Sequence, residues 1–564
     1  MANEQTGTVN AAQQNDFFGH PRGLSTLFFT ELWERFSYYG MRALLVLYMT
    51  AETMTANPGL GFSVGKATAI YGLYTFFVYV LSLPGGWIAD KLWGQRKAVF
   101  VGGVIIAAGH FSMAVPWIEF FYLGLALIVI GTGLLKPNVS SMVGDLYPEG
   151  GARRDAGFSI FYMGINFGAI LGPLLCGVLG EGYNWHLGFS LAGFGMVLGL
   201  ISYKFGYKFL GNAGDLKTGE TEEVLQARSR KFYATISAVA AAIVAFIFLM
   251  SSGVINLSLQ NLAGYLGGAA VAITIIFFGY IIFFGGHNRE EQKKLGVIFW
   301  LFILAALFWS GFEQAGSSLN LFAKDLTNRS IGDVAWLDGG VALLITALIA
   351  IPILYVVYRV YNRDNLWSFA KGVVAVSSVG ILIFLWWLIQ RIGIGWETPA
   401  STLQLINPFF IVVFAPIFGF MWTWLAARNA NPSIPVKFGL GLFGLAAGFF
   451  VLSWGAANAT EANPVSPAWL VVTYFLHTAG ELCLSPVGLS SMTKLAPKSR
   501  VSQMMGIWFV AAAVGNLFAG LMAGQLEVLS ESSLFWWVAM IVGGGGVIAL
   551  IASPFVQKLM GDVE

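Results

Sequence analysis

Charge is scarce in this chain of 564 residues. Lysine and arginine number 31 and aspartate and glutamate 29, so 11% of positions are charged and 57% hydrophobic, where soluble domains carry about 25% charge. Such a chain, with a mean hydropathy of +0.72, cannot cover a soluble surface with polar side chains and reads as a polytopic membrane protein. The net charge of +2 gives no electrostatic footprint for a nucleic acid. Only two cysteines are present, Cys176 and Cys483, both in apolar segments, which speaks against a disulfide framework. The sequence offers no His/Cys/Asp cluster at metal-ligand spacing and no phosphate-binding glycine loop, as a membrane enzyme would need. A channel's filter-like repeat or charged rings are missing too. The first twenty residues lack a basic region followed by a short apolar core, which argues against a cleaved signal peptide and for a cytoplasmic N-terminus.

What the chain has in quantity is apolar runs of about 20 residues, the length that spans a ~30 Å hydrocarbon core. Six begin near residues 24, 67, 98, 120, 156 and 187. A polar stretch at 211–231 reads as a cytoplasmic linker, followed by a pair of runs at 232–252 and 262–284. A further group starts at 296 and includes a pair at about 336–390, for sixteen candidate spans in all. Threading them places most basic loop residues, among them Lys91, Arg96, Lys97, Arg153, Arg154, Lys293, Lys294 and Lys494, on one side. Lys66, Lys324, Arg329 and Arg391 fall on the other. By the positive-inside rule the first side is cytoplasmic. The expected architecture is all-α: an N-terminal six-helix bundle (1–210), a linker with an inserted helix pair (211–295), and a C-terminal six-helix bundle (296–558) carrying the second pair at about 336–390. The expected location is the inner cell membrane. The loop Gly86-Trp-Ile-Ala-Asp90-Lys-Leu-Trp-Gly94-Gln-Arg96-Lys97, between two six-helix halves, resembles the loop signature of the major facilitator superfamily.

Against this apolar background one stretch stands out, Glu31-Leu-Trp-Glu-Arg-Phe-Ser-Tyr-Tyr-Gly40. Apolar residues flank it on both sides, so its charges lie at membrane depth. At about 100° per residue Glu31, Glu34, Arg35, Tyr38 and Arg42 share one stripe of a helix. An ionised side chain at the bilayer centre costs roughly 2.5–3.5 kcal/mol on insertion scales, so such a stripe normally faces a bundle interior or a wet cavity. Three more deep charges follow. Lys136 precedes Pro137, Glu313 follows Trp309 by one turn, and Glu481 lies five residues before Pro486. Three cations (Arg35, Arg42, Lys136) then face four carboxylates (Glu31, Glu34, Glu313, Glu481). One carboxylate is left over, and the one with the poorest pairing is the natural proton acceptor.

These residues carry a more specific resemblance. Glu31-x-x-Glu34-Arg35-Phe36-x-Tyr38-Tyr39-Gly40 is similar to the first-helix signature of the proton-coupled oligopeptide transporters, and 131–145 and 158–169 resemble the family's other two signature stretches. Matching stretches at 312–319, 405–410 and 480–489 extend the resemblance through both halves. It implies a proton-driven symporter of di- and tripeptides working by rocker-switch alternating access, with a peptide-like drug or nitrate as the alternative substrate on the same scaffold. It further implies that Glu31, Glu34 and Arg35 form a proton-linked cluster with Lys136, and that Arg42 pairs with Glu313. The peptide carboxylate would go mainly to Arg35 and Lys136, on the cationic side that also includes Arg42. Its amine would go to Glu481, helped by Asn166 and Asn407. Tyr38, Tyr39, Tyr74, Trp309 and Trp508 would line the side-chain pockets. No cofactor is implied, membrane lipid is the surrounding partner, and a monomer is expected to function. Animal members place a histidine on the second helix where this chain has Gly72, so coupling is expected to rest on carboxylates. The pair at 232–284 resembles the extra helices of bacterial members, while the pair at 336–390 is additional to that pattern.

Overall fold

The computed structural model describes residues 15–561 except 150, 217–219, 331–378, 380–396 and 498–499. The pair expected at 336–390 therefore lies outside the described residues. A short hairpin (β1 Asn15–Phe17, β2 His20–Pro21) leads into α1 (Arg22–Thr50). Then follow α2 (Val64–Val80), α3 (Ser82–Ile88), α4 (Gln95–Met113), α5 (Ile118–Asp145), α6 (Gly151–Gly180) and α7 (Trp185–Gly206). The inserted pair is α8 (Glu222–Ser251) and α9 (Leu259–Phe284). The second half holds α10 (Arg289–Phe312), α11 (Ser318–Asp325), α12 (Ile406–Ala426), α13 (Ile434–Ala456), α14 (Ala468–Leu495), α15 (Val501–Ala523) and α16 (Glu531–Met560).

Twelve membrane-length apolar helices occur among the described residues. The long helices α1 and α4 are not among them. In α1 the reason is its own charges, since every span-length window of it holds at least three of Arg22, Glu31, Glu34, Arg35 and Arg42. It is nonetheless enclosed by protein, against α6 and α7. The architecture is that of two six-helix bundles, with α4 on α5 and α7 in the first and α13 on α14 and α16 in the second. The halves meet where α2 packs on α15. The inserted pair is peripheral: α9 lies against α2 and α15, and no residue in the apolar stretch of α8 is buried.

Two helix starts differ from the sequence reading. The stretch 211–231 is not wholly a linker, because α8 begins at Glu222; Glu, Gln, Arg, Lys and Ala propagate a helix well, and Glu222 and Glu223 favour its N-terminus. The boundary drawn at 295/296 falls inside α10, which starts at Arg289. There Asn288 accepts from the Glu291 amide at 2.9 Å and the Glu291 carboxylate accepts from the Asn288 amide at 3.2 Å, a capping box that a hydrophobicity window does not register.

Glycine sets how closely α1 and α6 approach. A Cβ on Gly168 would lie 2.8 Å from both the Arg35 Cβ and the Phe36 amide nitrogen, and closer still to the Leu32 carbonyl. The absence of a side chain at 168 thus lets α6 seat against the part of α1 that bears Arg35. Gly168→Ala is expected to force these helices apart at a cost of about 1–3 kcal/mol, read as a lower unfolding temperature of the detergent-purified protein; an unchanged midpoint would show that the interface relaxes freely.

Candidate functional site

Between the two bundles lies a cavity of about 530 Å³, within the ~300–1,000 Å³ usual for small-ligand sites. Helix α1 contributes Glu31, Arg35, Tyr39 and Arg42 to its wall. Lys136 comes from α5 and Asn166 from α6. From the second bundle come Trp309, Glu313, Asn407, Glu481 and Trp508. Glu34, Tyr38 and Tyr74, also expected at the site, are not part of the lining. The helical wheel explains the split. Taking Glu31 as 0°, Arg42, Arg35 and Tyr39 fall at about 20°, 40° and 80°, while Glu34 and Tyr38 fall at about −60° and −20°. The stripe read from the sequence was thus centred too far to one side. Tyr38 and Tyr74 instead stack on each other behind the wall, centroids 6.4 Å apart, with the Arg35 guanidinium 5.1 Å from the Tyr38 ring.

The charges on α1 are almost fully committed. Arg35 is shared by two carboxylates, with Nε 3.2 Å from Glu31 Oε1 and in an ion pair with Glu34. Arg42 Nη2 lies 2.6 Å from Glu313 Oε2, an ion pair that joins α1 to the opposite bundle. Its Nε donates to the Tyr71 hydroxyl at 2.8 Å, and that hydroxyl donates to the Glu313 backbone carbonyl at 3.3 Å. Breaking such an enclosed pair from one side typically costs roughly 3–5 kcal/mol.

Two charges on the wall differ. Lys136, expected to join the α1 cluster, forms no ion pair among the described residues; its ammonium sits 4.1 Å over the Tyr79 ring. Backbone fit holds it there. A Cβ on Gly85 would collide with the Gly133 carbonyl, and Asn138 Nδ2 donates to Leu134 O at 2.7 Å and to Gly85 O at 3.3 Å, locking α3 onto α5 around the lysine. Glu481 likewise faces no cation among the described residues. It accepts from Asn407 Nδ2 at 3.3 Å, an amide that also donates to Thr478 Oγ1 at 2.9 Å. Asn166, by contrast, returns its amide to the Tyr162 carbonyl at 2.9 Å.

The bundles are tied together at the end of the loops 51–63 and 181–184, opposite the basic loop 86–97. Glu181, in the turn after α6, accepts from the amides of Ala400 and Ser401 at 2.8 and 2.9 Å and from the Ser401 hydroxyl at 2.8 Å. These begin the 3₁₀ helix Ala400–Leu405. Asn320 donates to Ala43 O at 2.8 Å, and Glu527 accepts from Gly65 N at 2.8 Å. Sequence reasoning did not single out Glu181, Tyr71, Tyr79 or Gln404. A glutamate at a helix end and tyrosines in apolar runs are common in membrane proteins, so no charge anomaly marked them.

A multi-pass helical protein of two six-helix bundles, with ion pairs and unpaired charges converging on one central cavity, defines the class: a membrane transporter of the major facilitator type, not an enzyme. The chain belongs to the POT family, whose family model matches residues 96–372 and 382–557. It is 36% identical over 577 residues to a peptide transporter of Yersinia enterocolitica, covering 99% of each chain. It is 35% identical over 554 residues to a di-/tripeptide transporter of Lactococcus lactis, covering 98% of this chain and 99% of that one. A crystal structure of peptide transporter POT in complex with sulfate superposes with a TM-score of 0.79 at 36% identity, covering 98% of each chain.

The three hydrogen bonds at Glu181 are expected to hold this end shut. In Glu181→Ala, spin labels placed at the exposed positions Met54 and Glu461 should show a distance distribution extended to longer separations; an unaltered distribution would assign closure to the remaining contacts.

Proposed function

We propose that this protein is a proton-coupled symporter that imports di- and tripeptides across the inner membrane, with its N-terminus in the cytoplasm. The carrying observation is the pair of charges on the cavity wall without an ion-pair partner among the described residues, Lys136 from one bundle and Glu481 from the other. A free peptide is a zwitterion, so its carboxylate meets Lys136, with Arg35 beside it, and its amine meets Glu481, held in place by Asn407. An extended chain spans about 3.3–3.6 Å per residue, so two or three residues suit a cavity of about 530 Å³. A ligand that bridges both halves draws them together as it binds, which favours the closed form of the rocking cycle. The names of the Yersinia and Lactococcus relatives support the same substrate class.

Proton coupling follows from the charge count. Arg35 serves two carboxylates, so one of Glu31 and Glu34 is the natural proton site when the peptide carboxylate competes for the same guanidinium. Protonation of Glu313 would remove the partner of Arg42 and loosen the tie between the bundles near the end sealed by Glu181. Coupling then arises because an enclosed charge left alone is too costly to tolerate, and helices move to re-pair it. The chain functions as a monomer in this account, since one copy supplies both halves of the clamp.

Glu481→Gln should weaken dialanine binding at least about tenfold while changing the affinity for N-acetylated dialanine little, and Lys136→Ala should abolish the preference for dialanine over its C-terminal amide. Competition against labelled dialanine measures both, and unchanged preferences in the two variants would remove the clamp.

A further inference from the structure

Among the described residues, enclosed donors on the cavity wall that meet no acceptor include Arg35 Nη2, Trp309 Nε1, Ser485 Oγ and Gln404 Nε2. Gln404 differs from the others in its position. It lies on the 3₁₀ helix Ala400–Leu405, which Glu181 fixes at its start, and three residues before Asn407, which holds Glu481. Residues three apart at such a junction share a face, so Gln404 lines the cavity on the same side as Asn407, whose amide donates to Glu481, the group assigned to the peptide amine. In a peptide, the first carbonyl carbon is two bonds from the amine nitrogen. An acceptor delivered at that distance from Glu481 meets an enclosed N–H donor that the folded protein leaves unmade, a condition native structures rarely keep without a function.

We propose that Gln404 is a specificity-determining residue that reads the first carbonyl of the bound substrate, donating from Nε2 to its oxygen. This rests on the peptide reading above and refines it. The amine and carboxylate clamp by itself accepts any ω-amino acid of suitable length, and Gln404 adds the test for an acceptor one carbon from the amine-bearing carbon. Because the same 3₁₀ helix is anchored by Glu181, the donor is in register while the Glu181 end is closed.

Two compounds of equal chain length isolate this contact, 5-aminolevulinate, which carries a carbonyl at that position, and 5-aminopentanoate, which does not. Their inhibition constants are measured against labelled dialanine uptake in proteoliposomes of wild type and of Gln404→Met, a near-isosteric change that removes only the amide. Wild type should favour 5-aminolevulinate by about tenfold, the weight of one well-made hydrogen bond. In Gln404→Met the two constants should converge, through loss of 5-aminolevulinate affinity alone. The unfolding temperature of ligand-free Gln404→Met should equal or exceed that of wild type, because an enclosed donor without an acceptor has been removed. A wild-type preference that survives in the variant, equal wild-type constants, or a parallel rise of both constants would each overturn the assignment. Wild-type protein that accumulates no dialanine would instead overturn the peptide reading, and this inference with it.

Discussion

Arg35 lies between Glu31 and Glu34, and Arg42 spans from α1 to Glu313. Charges at this depth are costly to leave facing lipid, so other helices must enclose them, and the packing of α1 follows from that requirement. Among the described membrane-length helices it is the one most completely enclosed by protein, yet it is too charged to qualify as a membrane span by composition. Gly168 lets α6 close over it, and Tyr71 gives Arg42 a second acceptor. The fold thus places its least lipid-compatible helix at the centre and surrounds it with apolar ones.

The same accounting explains why the cavity is more than a gap between bundles. With Arg35 and Arg42 committed, the wall presents one cation and one anion that have no ion-pair partner among the described residues, on opposite halves. A small zwitterion supplies both at once. The ties at Glu181, Asn320 and Glu527 close one end of the bundles, and the Arg42–Glu313 pair lies between that end and the ligand charges. In the proposed cycle, ligand, proton and closure would act on connected contacts, as alternating access requires.

Much of this was legible in the sequence because a charge inside a twenty-residue apolar run is an anomaly that needs a cause. Glu31, Arg35, Arg42, Lys136, Glu313 and Glu481 announced themselves in that way, and the structure brings all six to one cavity wall. The two-bundle plan followed from run length and loop charge, while the count of sixteen spans includes the pair at about 336–390, which lies outside the described residues. Periodicity was less discriminating: Tyr38 and Tyr39 differ by one residue, and a stripe defined by its charges could not say which of them faces the cavity. Helix starts at Glu222 and Arg289 were hidden by their polarity, since capping and propensity operate where hydrophobicity is silent. Gln404, Tyr79 and Glu181 were illegible because their importance comes from what they lack or hold in three dimensions.

The central claim is that opposed, unpaired charges and a surplus carboxylate make a proton-driven peptide pump. The most direct test is uptake of labelled dialanine into proteoliposomes under an inward proton gradient, repeated after an uncoupler collapses that gradient. The account predicts accumulation above the external concentration that disappears on uncoupling. Accumulation that persists without the gradient, or uptake that never exceeds equilibration, would contradict it.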